Sequence, residues 1–184
     1  MISEVDQAVK IREGQSINTD SLETYLRNSM QLPVAHLEVL QFPSGYSNLT
    51  YLLKFGEKEL VLRMPPKGVN IKSGHDMHRE FRILSGLHPI YSKVPKPYLF
   101  CDDERILGDP FYVMERLRGI IYRGHTPKKL LPDPNQMKSL SEAFVNTLVE
   151  IHSFNYNDAG FEELGRPDGY VKRQIEGWTK RYIN

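Results

Sequence analysis

Apolar and polar positions alternate with two different periods along the first two thirds of the chain, and each change of period marks an element boundary. Leu22, Tyr25, Leu26 and Met30 fall at helical spacing. They follow Asp20-Ser21-Leu22-Glu23, which reads as a capping box, and the helix should end near Gln31, ahead of Pro33. Residues 36–42 switch to strand character. Leu49–Phe55 and residues 59–64 predict two further strands, joined by a tight turn at Gly56-Glu57-Lys58 and closed by Pro65-Pro66-Lys67-Gly68. Ser73 is placed to cap a helix whose Met77, Phe81, Leu84 and Leu87 share one face, and Pro89 closes it. Pro95-Lys96-Pro97 leads into a strand over 98–101. Turns at Asp102-Asp103 and Gly108-Asp109-Pro110 flank a short segment, 105–107, and Phe111–Glu115 is the last strand.

Three strands, a helix and two strands predict an α+β fold, with about five antiparallel strands and one helix packed on the sheet. The character changes after Arg118-Gly119. A polar connection over 124–132 leads to Asp133-Pro134-Asn135-Gln136, which supplies an N-cap, a proline at the first helical position and a glutamine at the third. Met137, Leu140, Phe144, Leu148 and Ile151 form the apolar face of the helix that follows. Residues 165–169 break the pattern, and 170–182 read as helix again. The expected organisation is an N-terminal helical extension (1–35), a lobe (36–117), and a linker with the first helices of a helical lobe (118–184).

Composition narrows the class. Of the 184 residues, 40% are hydrophobic and 26% charged, an ordinary globular balance that argues against disorder. The formal net charge of +1 gives no global field favouring nucleic acid or a membrane surface. Cys101 is the single cysteine, so no intrachain disulfide can form and a reducing, cytoplasmic setting is expected. Met1-Ile2-Ser3-Glu4-Val5-Asp6 lacks the basic and apolar regions of a signal peptide. No apolar run approaches the roughly 20 residues of a membrane span.

Three stretches hold candidate chemistry. Ser44, Gly45, Tyr46, Ser47 and Asn48 form a loop between two strands. Gly45 gives its backbone freedom, and Ser44, Ser47 and Asn48 offer small donors, the ingredients of a phosphate cradle and also of an ordinary hairpin turn. Arg63, on the third strand, and Glu80, on the following helix, stand where a protein-kinase-like lobe holds a phosphate-binding cation and the carboxylate that orients it. Alone, they also read as two solvated charges. Phe111-Tyr112-Val113-Met114-Glu115-Arg116-Leu117-Arg118-Gly119 reads as a strand running into an interlobe hinge, or as an edge strand with its terminating glycine.

These stretches resemble the aminoglycoside phosphotransferase and choline kinase superfamily. They are most similar to the bacterial branch related to the kinase-like domain of certain acyl-CoA dehydrogenases. The matching segments are Gly45-Tyr46-Ser47-Asn48-Leu49-Thr50-Tyr51, Leu60-Val61-Leu62-Arg63-Met64-Pro65-Pro66 and His78-Arg79-Glu80-Phe81-Arg82-Ile83-Leu84. They continue with Val94-Pro95-Lys96-Pro97, Leu107-Gly108-Asp109-Pro110-Phe111-Tyr112-Val113-Met114-Glu115, Leu148-Val149-Glu150-Ile151-His152-Ser153 and Gly165-Arg166-Pro167-Asp168-Gly169-Tyr170. Arg173-Gln174 and Trp178 fit as well. The resemblance implies ATP as cofactor, with magnesium, and a small hydroxyl-bearing molecule as acceptor. It implies that Ser44, Gly45, Tyr46, Ser47 and Asn48 cover the phosphates. Arg63 would stand where the family often has lysine, Glu80 would be its partner, and Met114, Glu115 and Leu117 would belong to the adenine-contacting hinge.

The family's His-Gly-Asp catalytic loop, its metal-binding asparagine and a later metal-binding aspartate are not recognisable, and no His-Gly-Asp tripeptide occurs in the chain. The chain therefore reads as the N-terminal half of a kinase, with catalytic residues and magnesium ligands outside it and an exposed lobe interface that favours self-association. The competing reading is a non-catalytic nucleotide-binding or scaffolding module. Other signals have bland readings. His75 and His78 lack a third metal ligand, His152 is a packing or capping residue and Cys101 is a small buried hydrophobe. Lys128-Lys129 and Lys172-Arg173 are solvated, and Trp178 packs the last helix.

Overall fold

The computed structural model describes residues 7–43, 48–66, 76–122, 126–165 and 168–183. Its five strands are β1 (Leu37–Gln41), β2 (Leu49–Phe55), β3 (Lys58–Met64), β4 (Pro97–Cys101) and β5 (Phe111–Glu115). They form one sheet in the order β1-β2-β3-β5-β4, with every pairing antiparallel. Gly56 makes the β2–β3 turn possible, because its φ of 60° lies in the left-handed region that side chains disfavour. The helices are α1 (Thr19–Ser29), α2 (Met77–Leu87), α3 (Glu104–Leu107), α4 (Pro134–His152) and α5 (Tyr170–Ile183). The chain divides into two compact units, Met1–Glu142 and Ala143–Asn184.

Strand periodicity sorts the side chains onto two faces. On one face Leu49, Tyr51, Leu53 and Phe55 of β2 pack with Leu60, Leu62 and Met64 of β3 and with Phe111 and Val113 of β5. Leu22 and Leu26 of α1 close over this layer. Each such side chain contributes about 1.5–3 kcal/mol on leaving water. The N-terminal segment is sewn to the sheet edge as well. Val9 bridges Gln41, whose buried side chain accepts from Arg12 N–H at 3.0 Å, and Tyr51 Oη donates to the Gln15 carbonyl at 2.7 Å. On the opposite face α2 packs against β4 and β5, with the Phe81 ring 5.9 Å from Phe100 and 6.2 Å from Tyr112.

Two caps differ from expectation. Asn18, not Asp20, caps α1 by accepting from Ser21 N–H at 3.1 Å. Glu23 turns instead to Arg27 and to the Leu37 N–H, and the bonds from Arg27 above all hold its carboxyl below the ordinary value. Asp76 caps α2 by accepting from Arg79 N–H at 2.9 Å, while Ser73 and His75 lie outside the described residues. The Asp133 cap of α4 is as expected: its carboxylate accepts from Gln136 N–H at 2.9 Å, and Gln136 reaches back to Asp133 N–H at 3.0 Å. The apolar residues of α4 and α5 are exposed. Trp178, expected to pack, is 64% exposed, with Arg181 over its ring at 5.0 Å. Cys101 is buried.

Candidate functional site

Arg63 and Glu80 meet on the face of the sheet that α1 leaves uncovered. The register sets Arg63 of β3 between Thr50 of β2 and Tyr112 of β5. Glu80 sits in the first turn of α2, where the helix's unpaired N–H groups favour a carboxylate. Arg63 Nη2 lies 3.4 Å from Glu80 Oε2, and each side chain is about one third exposed (32%). That is an ion pair, but looser than the 2.7–2.9 Å of a strong charge-assisted hydrogen bond.

Glu80 is held more tightly by two neutral donors. Asn48 Nδ2 donates to Oε1 at 2.9 Å, and Tyr112 Oη donates to Oε2 at 2.9 Å. Both donors are buried, at 6% and 1% exposure. Burial, opposed by nearby Arg63 and reinforced by Glu80, pushes the Tyr112 hydroxyl well above the ordinary tyrosine range. It therefore stays a protonated donor at any ordinary pH. Arg63 Nε is shielded from solvent and has no hydrogen-bond partner among the described residues. The cation is thus anchored on one side by Glu80 and keeps donor capacity for an anion.

The same sheet face carries an apolar row leading away from Arg63. Leu40, Leu52, Val61 and Met114 are cross-strand neighbours in register. Beside the row lies a cavity of about 720 Å³ whose lining includes Leu40, Leu52, Lys54, Glu59, Arg116 and Arg118. Glu59 accepts from Arg118 at 2.9 Å, and the Arg116 guanidinium lies over the Phe42 ring at 4.6 Å. The sheet ladder ends at Glu115, whose N–H donates to the Lys96 carbonyl at 2.8 Å and whose carboxylate accepts from Lys96 N–H at 3.1 Å.

Of the residues named from sequence, Asn48, Arg63 and Glu80 come together. Asn48 does so as a partner of Glu80, where the sequence suggested a phosphate donor. Ser44, Gly45, Tyr46 and Ser47 lie outside the described residues. Met114 belongs to the apolar row, Glu115 ties β5 to Lys96, and Leu117 is 50% exposed just beyond the strand. Tyr112 and Arg116 stand in the strand-and-hinge stretch read from sequence, but the sequence assigned no site role to Tyr112 or to Leu40, Leu52 and Val61. A signal existed, because Leu40, Leu52 and Val61 are apolar at positions that alternation assigns to the face away from the main core.

The profile of the "Phosphotransferase enzyme family" matches residues 38–184. The mouse protein "Acyl-CoA dehydrogenase family member 10" is 35% identical over 173 residues, 94% of this chain and 16% of that one. Human "Acyl-CoA dehydrogenase family member 11" is 37% identical over 169 residues, 90% of this chain and 21% of that one. The crystal structure of a "putative aminoglycoside phosphotransferase" from Ralstonia eutropha superposes with a TM-score of 0.73 at 28% identity, covering 91% of this chain and 48% of the other. The chain therefore spans 16–21% of these two relatives and about half of the solved chain.

Proposed function

Because this chain belongs to the phosphotransferase enzyme family, we propose that it forms the ATP-binding portion of a kinase that phosphorylates a small hydroxyl-bearing molecule. The observation that supports this most is the Arg63–Glu80 pair with the shielded Arg63 Nε beside it. A cation on the strand, oriented by a helix carboxylate and still able to donate, suits the phosphates of ATP. The row Leu40, Leu52, Val61 and Met114 offers an apolar surface for the base. Val61 lies two residues from Arg63 along β3, about 7 Å by strand rise, a fitting separation for base and phosphates on one sheet face. The glycine-containing loop at 44–48, the hinge residues Glu115 and Leu117 and the cytoplasmic setting belong to the same proposal. Among the described residues, no helix is long and apolar enough to cross a membrane.

Magnesium is a different matter. No three of His, Cys, Asp and Glu converge among the described residues to hold one, so no step is assigned through it to this chain. In phosphoryl transfer the ion bridges the phosphates and neutralises their charge. The part played here by Arg63 and Glu80 is to bind and align the nucleotide. The lack of a His-Gly-Asp tripeptide favours a second reading for this polypeptide, in which it binds nucleotide without transferring phosphoryl. Calorimetric titration with Mg-ATP tests the first point. The unsubstituted chain should bind, and Arg63→Ala should weaken binding roughly tenfold or more, the value of a charged hydrogen bond. Equal affinity of both proteins would rule out Arg63 as the phosphate cation. ATP turnover across a panel of hydroxyl acceptors separates the two readings: acceptor-dependent turnover that Arg63→Ala abolishes would eliminate the non-catalytic one.

A further inference from the structure

We propose that Asn48 and Tyr112 are positioning residues that clamp Glu80 from both sides of β3 and aim it at Arg63 before any nucleotide arrives. The inference rests on the reading of Arg63 as the phosphate cation, and it assigns Asn48 a role other than phosphate donor. The geometry is specific. Sheet order places β2 and β5 on either side of β3. Asn48, which immediately precedes β2, donates to one oxygen of Glu80, and Tyr112 of β5 donates to the other. A carboxylate with one oxygen tied to the residue ahead of β2 and the other to β5 cannot rotate without breaking both bonds. Arg63, on the strand between, shares Oε2 with Tyr112. The order of strengths follows from the distances: the neutral donors sit at 2.9 Å and the cation at 3.4 Å, so the clamp fixes the carboxylate and the carboxylate guides the cation.

Burial points the same way. Asn48 and Tyr112 are almost wholly enclosed, whereas the Arg63 side chain is about one third exposed. Asn48 Nδ2 commits one of its two N–H groups to Glu80. Both clamp donors keep their protons at ordinary pH, since burial raises the Tyr112 hydroxyl and a side-chain amide does not ionise. Helix α2 is therefore held in the ion-pairing position by the fold itself, without a need for ligand.

The test is a double-mutant cycle on the whole chain, read by calorimetry with Mg-ATP and by hydrogen exchange of α2 amides in nucleotide-free protein. Asn48→Ala and Tyr112→Phe should each weaken Mg-ATP binding roughly tenfold. Once Glu80→Ala is present, Asn48→Ala should cause a much smaller further loss, because its bond to that carboxylate is already gone; Glu80→Leu serves if the alanine variant does not fold. A loss from Asn48→Ala that persists undiminished beside Glu80→Ala makes Asn48 a direct phosphate donor and overturns the proposal. In the free protein both clamp substitutions should speed exchange in α2 several-fold and leave the β2–β3 ladder unchanged. Unaltered α2 exchange would equally overturn it. If the unsubstituted chain binds no Mg-ATP, or Arg63→Ala leaves binding intact, the nucleotide reading alone is lost, and the exchange measurement still decides whether the clamp exists.

Discussion

Glu80→Ala removes one carboxylate and leaves three partners to find something else. Asn48 Nδ2 and Tyr112 Oη are buried donors that each lose the bond to Glu80, and such a loss costs about 1–3 kcal/mol. The low end applies here, because Glu80 is itself one third exposed and its removal admits water. The Arg63 pair, equally exposed and at 3.4 Å, adds only about 0.5 kcal/mol after screening. Alanine's better helix propensity and the lost charge at the start of α2 are each worth a few tenths of a kcal/mol, in opposite directions. The expected destabilisation is about 2.5 kcal/mol, a large share of the 5–15 kcal/mol typical of a domain. Guanidinium unfolding followed by near-ultraviolet circular dichroism measures it. The buried Tyr51 and Tyr112 report on the sheet, whereas the exposed Trp178 of α5 does not. The midpoint should fall at unchanged slope. Glu80→Gln keeps an acceptor oxygen and should lose less than half as much. A Glu80→Ala stability within about 0.5 kcal/mol of the parent would mean that Glu80 does not tie α2 to the sheet, and the site geometry argued above would fail with it.

Two further outcomes follow from local geometry. Asp76→Ala should cost about 1 kcal/mol by removing the cap on Arg79 N–H, with the loss of protection concentrated in the first turn of α2, as hydrogen exchange would show. The Tyr51 hydroxyl is pushed up to about 12 by burial, against an ordinary value of 10.0. The folded state thus keeps a proton that the unfolded state loses, so stability holds below about pH 10 and falls as pH rises toward about 12. Denaturation midpoints across this range should decline less steeply in Tyr51→Phe, and identical slopes would contradict the assignment.

Much of the fold could be read from the chain, for identifiable reasons. The bounds of β2 and β5 are as expected because Gly56 and the Gly108-Asp109-Pro110 turn punctuate them sharply. The five-stranded antiparallel sheet follows from the same signals. Caps were less legible. Asn18 and Asp20 both suit the start of α1, and only backbone conformation selects Asn18. Arg63 and Glu80 could be paired from element order, because both lie in or beside regular elements whose sequence set the expectation. Tyr112 could not. Parity puts it on the same face as Met114, but its place opposite Arg63 depends on β5 pairing with β3, a long-range choice that local pattern does not encode. Asn48 was visible as a polar loop residue, and its burial against a helix distant in sequence was not.

In the proposed function Arg63 is the group that meets phosphate. The direct measurement is nitrogen-15 NMR of the Arg63 Nε–H, the shielded donor without a partner among the described residues. Titration with Mg-ATP should shift that resonance and bring it to saturation, titration with tripolyphosphate should shift it in the same direction, and adenosine alone should leave it in place. An Arg63 Nε–H signal that stays fixed while other resonances show Mg-ATP bound would place the phosphates elsewhere and contradict the account.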